Sequence, residues 1–217
     1  ETPEAIRLSV PIIKEIIRAY RIPILEVAGY EADDVIGTLA TEAGRQGIIT
    51  YMMTPDKDYG QLVSDKVFMY RPKHTGGFEV MGVDEVKAKF DIQSPAQVID
   101  MLGLMGDSSD NIPGCPGVGE KTAQKLIAEF GSIENLLEHT DQLKGALKTK
   151  VETNREMITF SKFLATIKID VPIQLDMDSL VREQADEDSL RQIFEELEFR
   201  TLIDRVLKKE NAGNGIT

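Results

Sequence analysis

The sequence predicts an α/β fold in which a half built on a parallel sheet is followed, from about residue 94, by a half that is wholly helical. Three observations predict it. Ile48 to Thr54 is a mostly apolar run of the kind that suits a strand buried on both faces of a parallel sheet. Val67–Tyr70 and Phe78–Val80 read as further strands around the turn Lys73-His74-Thr75-Gly76-Gly77. From Glu120 onward every apolar pattern has helical spacing. The division expected is 1–93, 94–209 and a tail at 210–217.

Thr2-Pro3 reads as an N-cap with proline at the first helical position, and Ile6, Val10, Ile13, Ile17 and Tyr20 then recur as the face of a packed helix. Pro23 ends it, and Ile24 to Val27 is expected as a short strand before the turn Ala28-Gly29-Tyr30. A helix follows to about Gly44. Val83 to Phe90 forms a short helix, and Ser94-Pro95 caps the next, with Val98, Ile99, Leu102 and Met105 on its apolar face. Later helices are expected over Lys121–Phe130, closed by Gly131, over Ile133–His139, capped by Ser132, and within 143–164 and 188–207.

With 217 residues, 41% of them hydrophobic, the chain can bury one large core or two small ones. The single cysteine, Cys115, excludes an internal disulfide, fits a reducing intracellular setting and reads as a small turn residue. A net charge of −12 opposes a nucleic-acid partner at first sight. Carboxylates gathered around divalent cations count as negative in that sum but not in the loaded site. No apolar run approaches the roughly 18 residues of a membrane span, and no signal peptide is expected.

Seven acids fall in three clusters: Glu31, Asp33 and Asp34 opening a helix; Asp56 and Asp58 after an apolar strand; Asp107 and Asp110 after an apolar helix. Helix capping accounts for one or two acids in the first cluster, but three in four residues exceeds it. If strand geometry continues past Thr54, Asp56 and Asp58 point one way and Lys57 the other. Brought together, such carboxylates demand cations, and hard oxygen ligands with no neighbouring Cys or His favour Mg²⁺ or Mn²⁺. Two such ions can activate a water and steady the leaving oxygen of a phosphodiester. Beside them, Pro113 to Gly119 forms a turn that opens onto a helix near Glu120, where bare amides and the helix dipole favour a phosphate.

Gly29-Tyr30-Glu31-Ala32-Asp33-Asp34, Thr54-Pro55-Asp56-Lys57-Asp58 and Gly106-Asp107-Ser108-Ser109-Asp110-Asn111-Ile112-Pro113-Gly114, continued by Gly117-Val118-Gly119-Glu120-Lys121-Thr122-Ala123, resemble the 5′-nuclease family. Within it they resemble the 5′→3′ exonuclease domain of bacterial DNA polymerases I, over almost the whole chain. The resemblance implies a PIN-like parallel sheet carrying the metal site, followed by a helix–three-turn–helix (helix-hairpin-helix) module that grips duplex DNA. It implies hydrolysis of 5′ flaps, nicked DNA and RNA primer–DNA hybrids, alongside polymerase domains of the same parent chain in the bacterial cytoplasm. Glu31, Asp33 and Asp34 would serve one Mg²⁺, with Asp56, Asp58, Asp107 and Asp110 completing a two-ion site. Gly114, Gly117, Gly119, Lys121, Thr122 and Lys125 would hold a phosphate of the duplex, with K⁺ in the turn. The family's first strand with its aspartate, a further acid and its basic arch are not in this sequence, so a chain lacking them is expected to be a poor nuclease.

Two other readings stand beside this one. One is a non-catalytic DNA-binding module whose acids are structural caps. The other is an aspartyl-phosphate phosphotransferase on Asp56-Lys57-Asp58, weakened because Gly60 stands where that chemistry places a hydroxyl.

Overall fold

In the computed structural model, residues 2–73 and 75–207 are described; His74, expected in a solvated turn, and the tail at 210–217 lie outside them. Along the chain run α1 (Glu4–Ala19), α2 (Ala32–Arg45), β1 (Thr50–Met53), a 3₁₀ helix (Lys57–Leu62), β2 (Val67–Pro72), β3 (Phe78–Met81), α3 (Val83–Phe90) and α4 (Val98–Met105). Then come α5 (Glu120–Phe130), α6 (Ile133–Glu138), α7 (Gly145–Thr153), α8 (Arg155–Ala165), α9 (Glu187–Glu196) and α10 (Arg200–Leu202), which runs into a π-helical turn (Ile203–Leu207). These elements form two compact units: Val27–Leu175, and Glu1–Glu26 together with Asp176–Thr217.

The sheet of the larger unit has the order β1-β2-β3. β1 and β2 are parallel, as expected, because the chain between them makes a crossover through the 3₁₀ helix. β2 and β3 are antiparallel, joined by the tight turn in which Lys73 N–H donates to the Gly77 carbonyl at 3.0 Å. The sheet is therefore mixed rather than parallel throughout. β1 is also not buried on both faces: Met52 is 4% exposed, but Tyr51 and Met53 are 57% and 71% exposed. Met52, Val67 and Met69 enter the core with Ala40 of α2, while the opposite face carries the stacked pairs Tyr51–Phe68 and Tyr70–Phe78. Ile24 to Val27, expected as a strand, carries no ladder pairing among the described residues.

Residue 94 marks a change of secondary structure but no break in packing. Met52, Val67 and Met69 before it share one apolar cluster with Val98, Leu102, Leu126 and Ile158 after it. Gln61 spans the same divide, donating to the Ala165 carbonyl at 2.9 Å and accepting from Ile167 N–H at 2.9 Å. α4 is the centre of this core, with Val98, Met101, Leu102 and Leu104 wholly buried. Its one buried acid, Asp100, accepts from the first amide of α6 at 2.9 Å and from Lys162 of α8 at 2.6 Å. Lys162 also reaches Glu134 at 2.8 Å, so the buried charge is paired and hydrogen-bonded.

In the smaller unit α1 packs against α9 around Ala19, Leu190, Phe194 and Leu207. Asp186 caps α9 through Ser189 N–H at 3.1 Å, and its own N–H donates to Ala19 at 2.7 Å. α1 begins at Glu4 with Pro3 in the capping position rather than one residue earlier. Its expected apolar face is covered only near its end: Ile6, Val10 and Ile13 are 54%, 41% and 51% exposed. The ten-residue α9 is too short to cover all 16 residues of α1.

Candidate metal centre and phosphate turn

All seven sequence-predicted acids lie in the larger unit, and the fold treats the three clusters differently. Pro55 ends the β1 ladder, and the chain turns into the 3₁₀ helix instead of continuing as a strand. Asp56 caps that helix, accepting Asp58 N–H at 3.0 Å. The turn carries Asp58 inward to 7% exposure. Asp107 follows α4 in a small closed loop, where its N–H and carbonyl pair with Ile112 at 2.9 and 2.8 Å. That loop aims Asp107 and Asp110 at Asp58, and ligand oxygens of the three lie within 4.8 Å of one another.

The first cluster is not in this group. Asp34 accepts the backbone N–H of Lys168 at 2.9 Å, so one of its oxygens fastens α2 to the segment after α8. Asp33 accepts the Tyr59 hydroxyl at 2.7 Å, and Glu31 is exposed at the N-cap of α2 with no capping bond. Asp33 remains within electrostatic reach of Asp110, whose carboxyl is raised by burial and by Asp107, Asp56 and Asp33.

Electrostatics separate the acids further. Burial first, and then Asp56, push the Asp58 carboxyl up to about 6. Asp107 is opposed by burial, but hydrogen bonds from Lys57 and Ser109 bring it down to about 2. Lys57 was expected to point away from its two acidic neighbours. Because the strand does not continue, its ammonium instead pairs with Asp107 and lies 3.6 Å from Asp58 Oδ1. Even so, Asp58 Oδ1 is buried with no hydrogen-bond partner among the described residues. A buried anionic oxygen without a donor, in a set of carboxylates with no nitrogen or sulfur ligand, fits a hard divalent cation.

Tyr59 was not singled out by the sequence. It is 3% exposed, and burial together with Asp33 raises its phenol. The only available signal was an aromatic residue directly after an acid pair. Tyr59→Phe should cost about 1 kcal/mol in urea unfolding, because it leaves Asp33 without its donor.

The glycine turn opens as expected onto α5, with Gly119 as N-cap. Thr122 and Ala123 N–H turn back to the Gly119 carbonyl at 3.0 Å each, leaving the amides of Glu120 and Lys121 without an acceptor among the described residues. Lys121 and Lys125 are exposed one helical turn apart. Gly114 departs from its expected role: it is buried, and its N–H is taken by Ser161 Oγ of α8 at 2.9 Å. It builds the turn, and its N–H is not free for a ligand. Lys150 of α7 donates to the Gly117 carbonyl at 3.2 Å.

A mixed sheet beside a carboxylate group that suits a hard divalent cation, followed by a helix opening at a glycine turn, is the class of arrangement compatible with metal-assisted phosphodiester cleavage. The chain belongs to the 5′-3′ exonuclease family. The family's N-terminal resolvase-like domain matches residues 1–91 and its C-terminal SAM fold matches residues 93–188. Among curated relatives, DNA polymerase I of Bacillus subtilis (strain 168) is 43% identical over 208 residues and that of Bacillus caldotenax 40% over 208, in each case 95% of this chain. The chain spans about a quarter of the length of these relatives, 24% of each. A zinc-bound T5 5′-exonuclease superposes with a TM-score of 0.63 at 20% identity, covering 92% of this chain and 72% of that one. The catalytic core of Rad2 in complex with DNA substrate gives 0.62 at 16% identity, covering 94% and 68%.

Proposed function

We propose that the chain is the structure-specific 5′-3′ exonuclease and flap endonuclease part of a bacterial DNA polymerase I, removing 5′ flaps and RNA primers. The observation that carries the reading is the buried Asp58 oxygen that accepts no hydrogen bond from the described residues, held beside Asp107 and Asp110. Asp58, Asp107 and Asp110 would hold a divalent cation, Mg²⁺ or Mn²⁺, and Asp56, Asp33, Asp34 and Glu31 would serve the same cleft and a second ion. When bound, such cations supply a water nucleophile at neutral pH and neutralise charge on the leaving oxygen.

The chain's own residues do the positioning. Asp107 is fixed by Ser109, whose N–H donates at 2.8 Å, and by the paired backbone at Ile112. Tyr59 fixes Asp33. At the turn, the free amides of Glu120 and Lys121 would receive a phosphate of the unbroken duplex, with Gly117 and Gly119 permitting close approach and Thr122, Lys121 and Lys125 around it. Lys150 on the Gly117 carbonyl brings the positive charge that a potassium ion would bring there. In this reading Asp58 from before residue 94 and Asp107 and Asp110 from after it make up the cutting site together, and the turn that opens onto α5 does the gripping.

The test is hydrolysis of a 5′-flapped DNA duplex and of an RNA–DNA hybrid in Mg²⁺ or Mn²⁺, with a chelator control and Asp107→Ala. Release of 5′ fragments that needs the cation and vanishes in the variant is expected. Cleavage in chelator, or cation-dependent cleavage that Asp107→Ala leaves unchanged, overturns the reading. For the grip, Lys121→Ala and Lys150→Ala should each weaken duplex binding irrespective of sequence. Each should also flatten the slope of log affinity against log salt by about 0.9. An unchanged slope removes that lysine from the phosphate contacts.

A further inference from the structure

The ammonium of Lys57 sits inside the carboxylate group. It pairs with Asp107 Oδ2 and lies 3.6 Å from Asp58 Oδ1, while its side chain is 33% exposed. These oxygens belong to two of the three acids whose ligand atoms lie within 4.8 Å of one another. Without a neutralising charge, carboxylates at that spacing repel, and Asp58 at 7% exposure has little water to screen it. A divalent cation on the same oxygens and an ammonium left on Asp107 would put two positive centres a few ångströms apart in a poorly screened site. The two occupants exclude each other.

We propose that Lys57 is the resident counter-cation of this site: it holds the three carboxylates together before metal arrives, and an entering divalent cation must displace it. The inference rests on the metal reading of the same carboxylates. The residue type suits the task, because a lysine is a compact point charge on a flexible four-carbon stem that can leave by rotation alone. An arginine fork would bind the carboxylates in a fixed plane. Lys57 thereby lowers the affinity of the site for metal and preserves its geometry when metal is absent. No covalent step is involved, and the displaced ammonium moves outward through the exposed part of its side chain.

Mn²⁺ binding to the whole chain at neutral pH, without DNA, tests this directly through the electron paramagnetic resonance signal of the free ion. Lys57→Met should bind Mn²⁺ about tenfold more tightly than the wild type, and Asp107→Asn much more weakly. Equal or weaker binding by Lys57→Met overturns the inference while the metal reading stands. Asp107→Asn binding as well as the wild type sinks both. Should Lys57→Met fail to fold, Lys57→Gln replaces it, and thermal melting supplies a second readout. Both Lys57 variants should melt below the wild type without metal and gain more than the wild type from saturating Mn²⁺. An equal gain contradicts the proposal.

Discussion

Asp58→Asn should melt at a higher temperature than the parent chain at neutral pH and lose divalent-cation binding and cleavage in the same step. Asp58 is 7% exposed, its Oδ1 has no hydrogen-bond partner among the described residues, and burial followed by Asp56 raises its carboxyl to about 6. A group raised in the folded state keeps a proton that the unfolded chain releases. Its ionisation therefore withdraws stability as pH rises from the unfolded value of 3.8 to about 6, and the penalty is complete above that window. Discounted for the solvent that reaches the group, the gain from asparagine is about 1 kcal/mol at neutral pH and vanishes near pH 3.5. Asp107 carries the opposite dependence: held down to about 2, it contributes stability above 3.8 that is lost as pH falls toward 2. The loss of function should be far larger, on the order of 10³-fold in cleavage rate, because an amide removes a charge from the ligand set. Chemical denaturation at two pH values, with Mn²⁺ titration of the same samples, checks both halves. A variant that is less stable at neutral pH yet binds metal normally would show that Asp58 is a structural acid.

Gly114→Ala should unfold the loop that carries Asp107 and Asp110, at a cost above roughly 3 kcal/mol, and abolish metal binding although no ligand is touched. Gly114 has φ of 63°, and a Cβ there would overlap the backbone of Gly106, with Gly106 Cα only 2.7 Å away. Gly106 returns the constraint at φ 73°, where a Cβ would lie 2.6 Å from the Ile112 carbonyl. The two backbones meet so closely that the loop can close its Asp107–Ile112 pairing and donate Gly114 N–H to Ser161. Neither side can give way, since both are main chain. Ser161→Ala offers a graded control. It leaves the Gly114 donor unsatisfied and should cost about 1–3 kcal/mol, with metal binding weakened rather than lost. Native-like melting of Gly114→Ala would show that the loop has room to relax.

Much of this was legible without coordinates. The helix at 83–90, the capped starts at Ser94 and Ser132, and the opening of α5 at Glu120 are local events set by capping side chains, proline and glycine, and they stand within a residue or two of their expected places. The hairpin around Gly76-Gly77 was equally local. The expected strand at 24–27 and the expected burial of Tyr51 and Met53 were not borne out. Strand pairing and burial depend on which neighbours arrive, and an apolar run carries no record of them. The boundary at 94 reads differently in space for the same reason: Gln61 and the shared core join the two sides.

The three acidic clusters, and the need for a cation wherever they meet, were determined by residue type alone, because carboxylates without nitrogen or sulfur ligands leave few alternatives. Which acids meet was decided by tertiary structure. Asp58, Asp107 and Asp110 converge because a 3₁₀ turn and a glycine-closed loop aim them at one point, whereas Asp34 and Gly114 are drawn into backbone bonds with Lys168 and Ser161. Lys57 illustrates the difference most sharply. In sequence it alternates away from its neighbours, and in space it lies among their oxygens, because side-chain direction follows the backbone path and that path turns at Pro55.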